Sequence, residues 1–177
     1  MSTQFGPQFP GTISLETRKG RPIPNHQDDP SVPEDRREQW RRAFGRQFPK
    51  NEERRGPTGF YNCHGLTFAN RRTGIHGESF GGNDVTKIVN GILDDDGLRP
   101  MDRRDVKPGD LVIYFEDGEI AHTGIVVRVD QGVPDTSAIR GVWILSKWGP
   151  AAEYLHQDFD CPWFAGEDSR QYWSERP

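Results

Sequence analysis

Three apolar, β-branched segments follow one another in the second half of the chain. They do most to limit what it can fold into. The first is Asp110–Phe115, apolar on both faces. The second is Ile120–Val129, and the third is Gly141–Lys147, after a Gly- and Pro-containing loop at 130–140. Strands in sequence with short breaks pair antiparallel, because parallel neighbours need a longer crossover. A helix precedes this meander. Asp84 stands where a cap belongs, and Val85, Ile88, Val89, Ile92 and Leu93 recur at i, i+3, i+4, i+7 and i+8, which is one apolar face. Gly97 and Pro100 close it. A helix followed by an antiparallel meander predicts an α+β fold.

Upstream of this unit the chain is irregular. Residues 1–32 are rich in Pro, Gly, Asn and Asp without apolar periodicity and read as an extended or disordered arm. Residues 33–58 hold an N-terminal helix and a linker. Ser31 is a candidate cap, Pro33 suits the first turn, and acids precede bases. Trp40 and Phe44, four apart, would dock the helix, and 45–59 reads as irregular. The remaining unit, 59–177, carries a first helix from Cys63 to Arg71 with Gly74 beyond its end, then a Gly-rich loop over 74–83.

Composition excludes some functions. The chain has 177 residues, 32% hydrophobic, with 20 Gly and 14 Pro, so its core is smaller than its length allows. The net charge of −4 comes from well-mixed acids and bases, which argues against nucleic-acid binding and a polybasic membrane anchor. No segment approaches the roughly 18 apolar residues of a membrane span. The N-terminus lacks a basic region followed by an apolar stretch, so the expectation is a cytoplasmic protein, with export by another route left open.

The chemistry centres on Cys63, in Asn62-Cys63-His64-Gly65-Leu66. Asn62 is a good N-cap and places Cys63 in the first helical turn. There the helix dipole and a neighbouring imidazole would favour thiolate, the useful nucleophile. Gly65 removes side-chain bulk, so a neighbouring strand can approach the helix start. First-turn N–H groups without helical partners can hold an oxyanion. His122 opens a β-branched strand between small neighbours and is the candidate general base. His64 points about 100° away from Cys63 on the helix and reads as a rim or substrate-contacting residue. Pairing across the 130–140 loop puts Ser146, Lys147 or Trp148 opposite His122. For a third residue orienting the imidazole, His156 is the first choice, with Ser146 and Glu153 as alternatives; Lys147 has no acceptor while charged. Asn62, His64 and Ser146 are the candidate oxyanion- or substrate-facing residues.

The spacings of Cys63, His122, His156 and Cys161 match no common zinc pattern, so neither a metal nor another cofactor is expected. Asp94-Asp95-Asp96 reads as a solvated turn, because its spacing is wrong for a calcium loop. The two cysteines read as reduced. Trp163, Phe164, Tyr172 and Trp173 near the end would fold back over the domain or line a groove.

Three motifs in order resemble the NlpC/P60 cysteine peptidases and the related CHAP amidases: Asn62-Cys63-His64-Gly65-Leu66, Lys107-Pro108-Gly109-Asp110-Leu111-Val112 and His122-Thr123-Gly124-Ile125-Val126. The resemblance covers about residues 59–150. It implies a papain-like α+β fold, with the nucleophile helix packed on an antiparallel sheet. Cys63 would be the nucleophile and His122 the base, acting on peptide or amide bonds such as those of peptidoglycan. The third residue of those families has no unambiguous equivalent here. Two alternatives stay open: an acyltransferase or deamidase acting as a toxin or effector, with a host, inhibitor or immunity protein as partner, and a non-catalytic binding module that keeps the fold.

Overall fold

A computed structural model describes residues 11–77, 84–130 and 141–176. Within them the chain forms three helices, α1 (Glu34–Gln47), α2 (Cys63–Ala69) and α3 (Asp84–Asp96), and seven strands. The strands are β1 (Glu52–Arg55), β2 (Arg99–Met101), β3 (Leu111–Glu116), β4 (Glu119–Val129), β5 (Val142–Lys147), β6 (Glu153–Gln157) and β7 (Arg170–Ser174). All lie in one antiparallel sheet, ordered β1-β6-β5-β4-β3-β7-β2. The α+β expectation is met. The meander β3-β4-β5 falls within a residue or so of its expected bounds.

The sheet is wider than the sequence suggested. β6 and β7 flank the meander, and β1 and β2 add short edges. β1 lies inside the segment expected to be irregular. Glu52-Glu53-Arg54-Arg55 has no apolar alternation because every residue of this edge strand is exposed. β2 contains Pro100, which an edge strand tolerates since one side needs no N–H donor.

Packing follows the sheet faces. A core of Val112, Tyr114, Val126, Val142, Ile144, Trp148 and Tyr154 is covered by α1 through Trp40 and Phe44. The Phe44 ring meets Trp148 edge-on at 4.9 Å between centroids. Pro33 occupies the cap position of α1 with no side-chain cap, so Ser31 does not play that part. α3 buries Val89, Ile92 and Leu93, against Ile113 and Ile120 on one side and Ile23, Ala69 and Ile75 on the other. The Asp84 side chain, residues 78–83 and the loop at 131–140 lie outside the described residues.

Over 11–32 the arm is extended, one of the two forms expected of it, and it is held down against the rest of the chain. Ile23 is buried, and His26 exchanges two backbone hydrogen bonds with Gly74 (both 2.9 Å). The Asp94–Asp96 run is its anchor and not a solvated turn. Asp95 is buried; it accepts from Thr17 Oγ1 (2.9 Å) and pairs with Arg21 (2.8 Å), while Asp96 accepts from the Arg18 N–H (2.7 Å). Helix α2 also ends earlier than expected, at Ala69. Asn70 and Arg71 both take positive φ, 48° and 68°, and turn the chain away before Gly74 is reached.

Candidate active site

Asn62 caps α2, and its side chain is fully committed there. Oδ1 accepts from the N–H of Gly65 (2.9 Å) and of Ile75 (3.1 Å), and Nδ2 donates to the Ile75 carbonyl (2.7 Å). Nδ2 also lies 3.4 Å from His76 Nδ1, so Asn62 fastens the helix start to the segment that follows Thr73. Gly65 explains how close that segment comes. A Cβ there would sit 1.9 Å from the Thr73 carbonyl oxygen. The close approach is made by Thr73, in the loop after α2, and not by a neighbouring strand as expected.

This framework sets Cys63 in the first turn with little exposure, 8%. Strand β4 brings His122, fully buried, against it. The two side chains feel each other. Burial alone would push the Cys63 thiol up. The neighbouring His122, helped by the N–H groups of Thr123 and His64, outweighs burial and holds the thiol below its ordinary value. Burial pulls His122 down, and Cys63 opposes that. Neither His122 ring nitrogen makes a well-aligned hydrogen bond among the described residues. The pair is adjacent and electrostatically coupled, but the thiol is not locked onto the imidazole. Catalytic hydrogen bonds are commonly long before substrate binds.

His64, expected at a rim, is buried instead, with Nδ1 3.1 Å from Thr123 Oγ1. Thr67 Oγ1 lies 3.1 Å from Thr123 Oγ1 and 3.0 Å from the Cys63 carbonyl. Thr67 has one hydroxyl proton. With it on the Cys63 carbonyl, Thr123 donates to Thr67 and the His64 Nδ1–H donates to Thr123. This chain ties α2 to β4 beside the thiol. Burial lowers the His64 pKa to about 4, so the ring stays neutral.

None of the three candidates for a third residue bonds to His122. Ser146 Oγ accepts from Trp148 Nε1 (3.0 Å) and spends its proton on His156 Nε2 (2.8 Å). His156 Nδ1 then donates to the Gln157 carbonyl (2.8 Å), so both ring nitrogens are used. Burial takes His156 down to about 4. Glu153 is held by Arg71 through two bonds (2.6 and 3.0 Å) and by the Tyr61 hydroxyl (2.5 Å). Ser146, Glu153 and His156 are therefore network residues of β5 and β6. Register gives the reason for Ser146: Ile125 pairs with Leu145, so continuing the ladder puts Trp148 opposite His122.

Two side chains at the site escaped the sequence assignments. Trp163 lies flat on His122, with ring centroids 3.6 Å apart and planes 6° from parallel. The sequence places it only as a cover over the domain or a groove wall. Lys147 is buried, and its ammonium donates to the carbonyls of Thr58 (3.0 Å), Gly149 (2.5 Å) and Ala151 (2.6 Å). Burial lowers it to about 8, against the charges of Glu153 and Cys63. Nothing in the spacing of residues 146–149 marks a buried cation.

Cys161 is buried, unpaired with Cys63, and pushed up to about 11 by burial. The two thiols thus differ sharply. Among the described residues no group of three or more His, Cys, Asp or Glu is arranged to hold a metal, and no helix is long and apolar enough to cross a membrane. Comparison with family models, with curated proteins and with solved structures finds no match for this chain.

Proposed function

We propose that this protein is a cysteine hydrolase of papain-like architecture that cleaves a peptide or amide bond through a thioester acyl-enzyme. The observation that carries the proposal is the pairing of a first-turn cysteine, its thiol held below the ordinary value, with a buried histidine on the facing strand. The three motifs shared with NlpC/P60 and CHAP enzymes make peptidoglycan peptides the first substrate class to test. The antiparallel sheet with a cysteine helix packed on its centre fits that reading.

The steps follow from the groups present. His122 takes the Cys63 proton, and the thiolate attacks the carbonyl carbon. The developing oxyanion would be met by the Cys63 N–H, since the Asn62 side chain and the Gly65 N–H are already engaged. His122 then gives its proton to the leaving amine, leaving a thioester. It next deprotonates a water, which releases the acid and restores the thiol.

The test is incubation of wild type and Cys63→Ala with muropeptides and with a panel of peptide amides. Cleavage by wild type, with an acyl adduct on Cys63 in the mass spectrum and no turnover by Cys63→Ala, supports hydrolysis. Amine adducts in place of the acid would convert the assignment to a transferase. Undiminished turnover by Cys63→Ala would refute the nucleophile.

A further inference from the structure

The His122 imidazole has no hydrogen-bonded orienting partner among the described residues, yet it is clamped. Trp163 covers one face in near-parallel stacking, 3.6 Å and 6°. The Tyr114 ring lies 5.7 Å away at 41°. Trp163 is itself braced edge-on by Trp148 at 6.0 Å. The polar side chains an orienting role would need, Ser146, Glu153 and His156, are spent on one another, on Trp148, Arg71 and Tyr61, or on the backbone.

Given the Cys63–His122 chemistry proposed above, we infer that Trp163 is the positioning residue of the pair, fixing the plane of the His122 ring and favouring its protonated form by stacking. Two physical effects support this. A flat stack removes rotation about the last side-chain bond, which a triad acid or amide otherwise restricts through a hydrogen bond. The indole face carries negative potential and attracts a cation lying over it. An imidazolium formed by proton transfer from Cys63 is therefore stabilised more than the neutral ring. The other ionisable groups acting on His122 are Cys63 and His64 from α2 and His156 from β6. His64 and His156 are neutral near pH 7, burial having taken both to about 4, so Cys63 is the charge partner.

Trp163 also forms one wall of a cavity of about 540 Å³ with Glu116, Asp117 and Asp168. Trp163 is thus shared by that cavity and by the stack on His122.

The experiment is the pH dependence of iodoacetamide alkylation of Cys63 in a Cys161→Ser background. It compares the parent with Trp163→Phe, Trp163→Leu and His122→Ala, each first checked for cooperative unfolding. Trp163→Leu keeps an apolar side chain without a π face and should slow alkylation near pH 7 about tenfold, moving the midpoint up. Trp163→Phe should recover most of that loss. A Trp163→Leu profile that overlays the parent while His122→Ala shifts it would overturn the role of Trp163 alone. A profile indifferent to His122→Ala would overturn the activated pair and the role of Trp163 together. Trp163→Phe keeps a stackable ring at lower bulk, so should Trp163→Leu fail to fold, a Trp163→Phe profile as displaced as that of His122→Ala would still overturn the stacking account.

Discussion

Cys63 and Cys161 share a chain and a buried setting but sit in opposite electrostatic surroundings. Burial pushes Cys161 up to about 11, while His122 and two backbone N–H groups bring Cys63 below its ordinary value. One equivalent of a thiol reagent at pH 7 should therefore label Cys63 and leave Cys161 free, as peptide mapping would show; equal labelling would remove the distinction. The buried histidines make a second prediction. His64 and His156 are held near 4, below the roughly 6.5 of an unfolded chain. Between those values the unfolded state binds protons that the folded state refuses. Stability is therefore complete above about pH 6.5 and falls as pH drops toward 4, by up to about 3 kcal/mol for each ring. Urea unfolding across this range should show the loss, and His156→Gln should make the slope shallower. A slope unchanged by that substitution would mean His156 is not the titrating group.

At the scale of elements, helix α2 is held by its neighbours more than by its own length of seven residues. Arg71, just past its end, reaches Glu153 on β6, and Thr73 presses its carbonyl under Gly65. Gly65→Ala should cost about 1–3 kcal/mol or more, because backbone stands where the methyl would go. Glu153→Gln breaks a buried ion pair and should cost about 3 kcal/mol. Denaturant midpoints measure both, and a loss below about 0.5 kcal/mol in either would contradict the packing described. The elements differ in how plainly the sequence announces them. α3 and the β3-β4-β5 meander carry their own periodicity, and the Cys63–His122 pair stands out because each residue sits in a distinctive local motif. β1 is exposed throughout and β2 contains proline, so neither carries a pattern. The partners of His156, Ser146 and the Gln157 carbonyl, are set by register and rotamer, which the sequence does not display, so it reads there as an orienting residue. Trp163 contacts His122 through a loop, which leaves no periodic trace.

Across the whole molecule, the N-terminal arm and the Cys63 helix are mechanically joined. The arm is pinned to α3 through Asp95 and to Gly74 through His26; Gly74 adjoins Thr73, on which the start of α2 rests. Asp95→Ala should free the arm, and proteases should then cut within residues 11–32 well before the sheet is attacked. Cleavage of the variant at the wild-type rate would show that Asp95 is not the anchor. Asp158, just past the end of β6, is the corresponding tie for the far side: it pairs with Arg103 (2.7 Å) and Arg170 (3.2 Å) and accepts from the Tyr172 hydroxyl, so β7 is held there. The molecule thus surrounds Cys63 with fastened parts. The most direct test is an ultraviolet titration of the Cys63 thiolate in the Cys161→Ser background, with and without His122→Ala. A midpoint clearly below about 8.5, rising when His122 is removed, is the predicted result. A midpoint at or above that value, unmoved by His122→Ala, would contradict an activated Cys63–His122 pair.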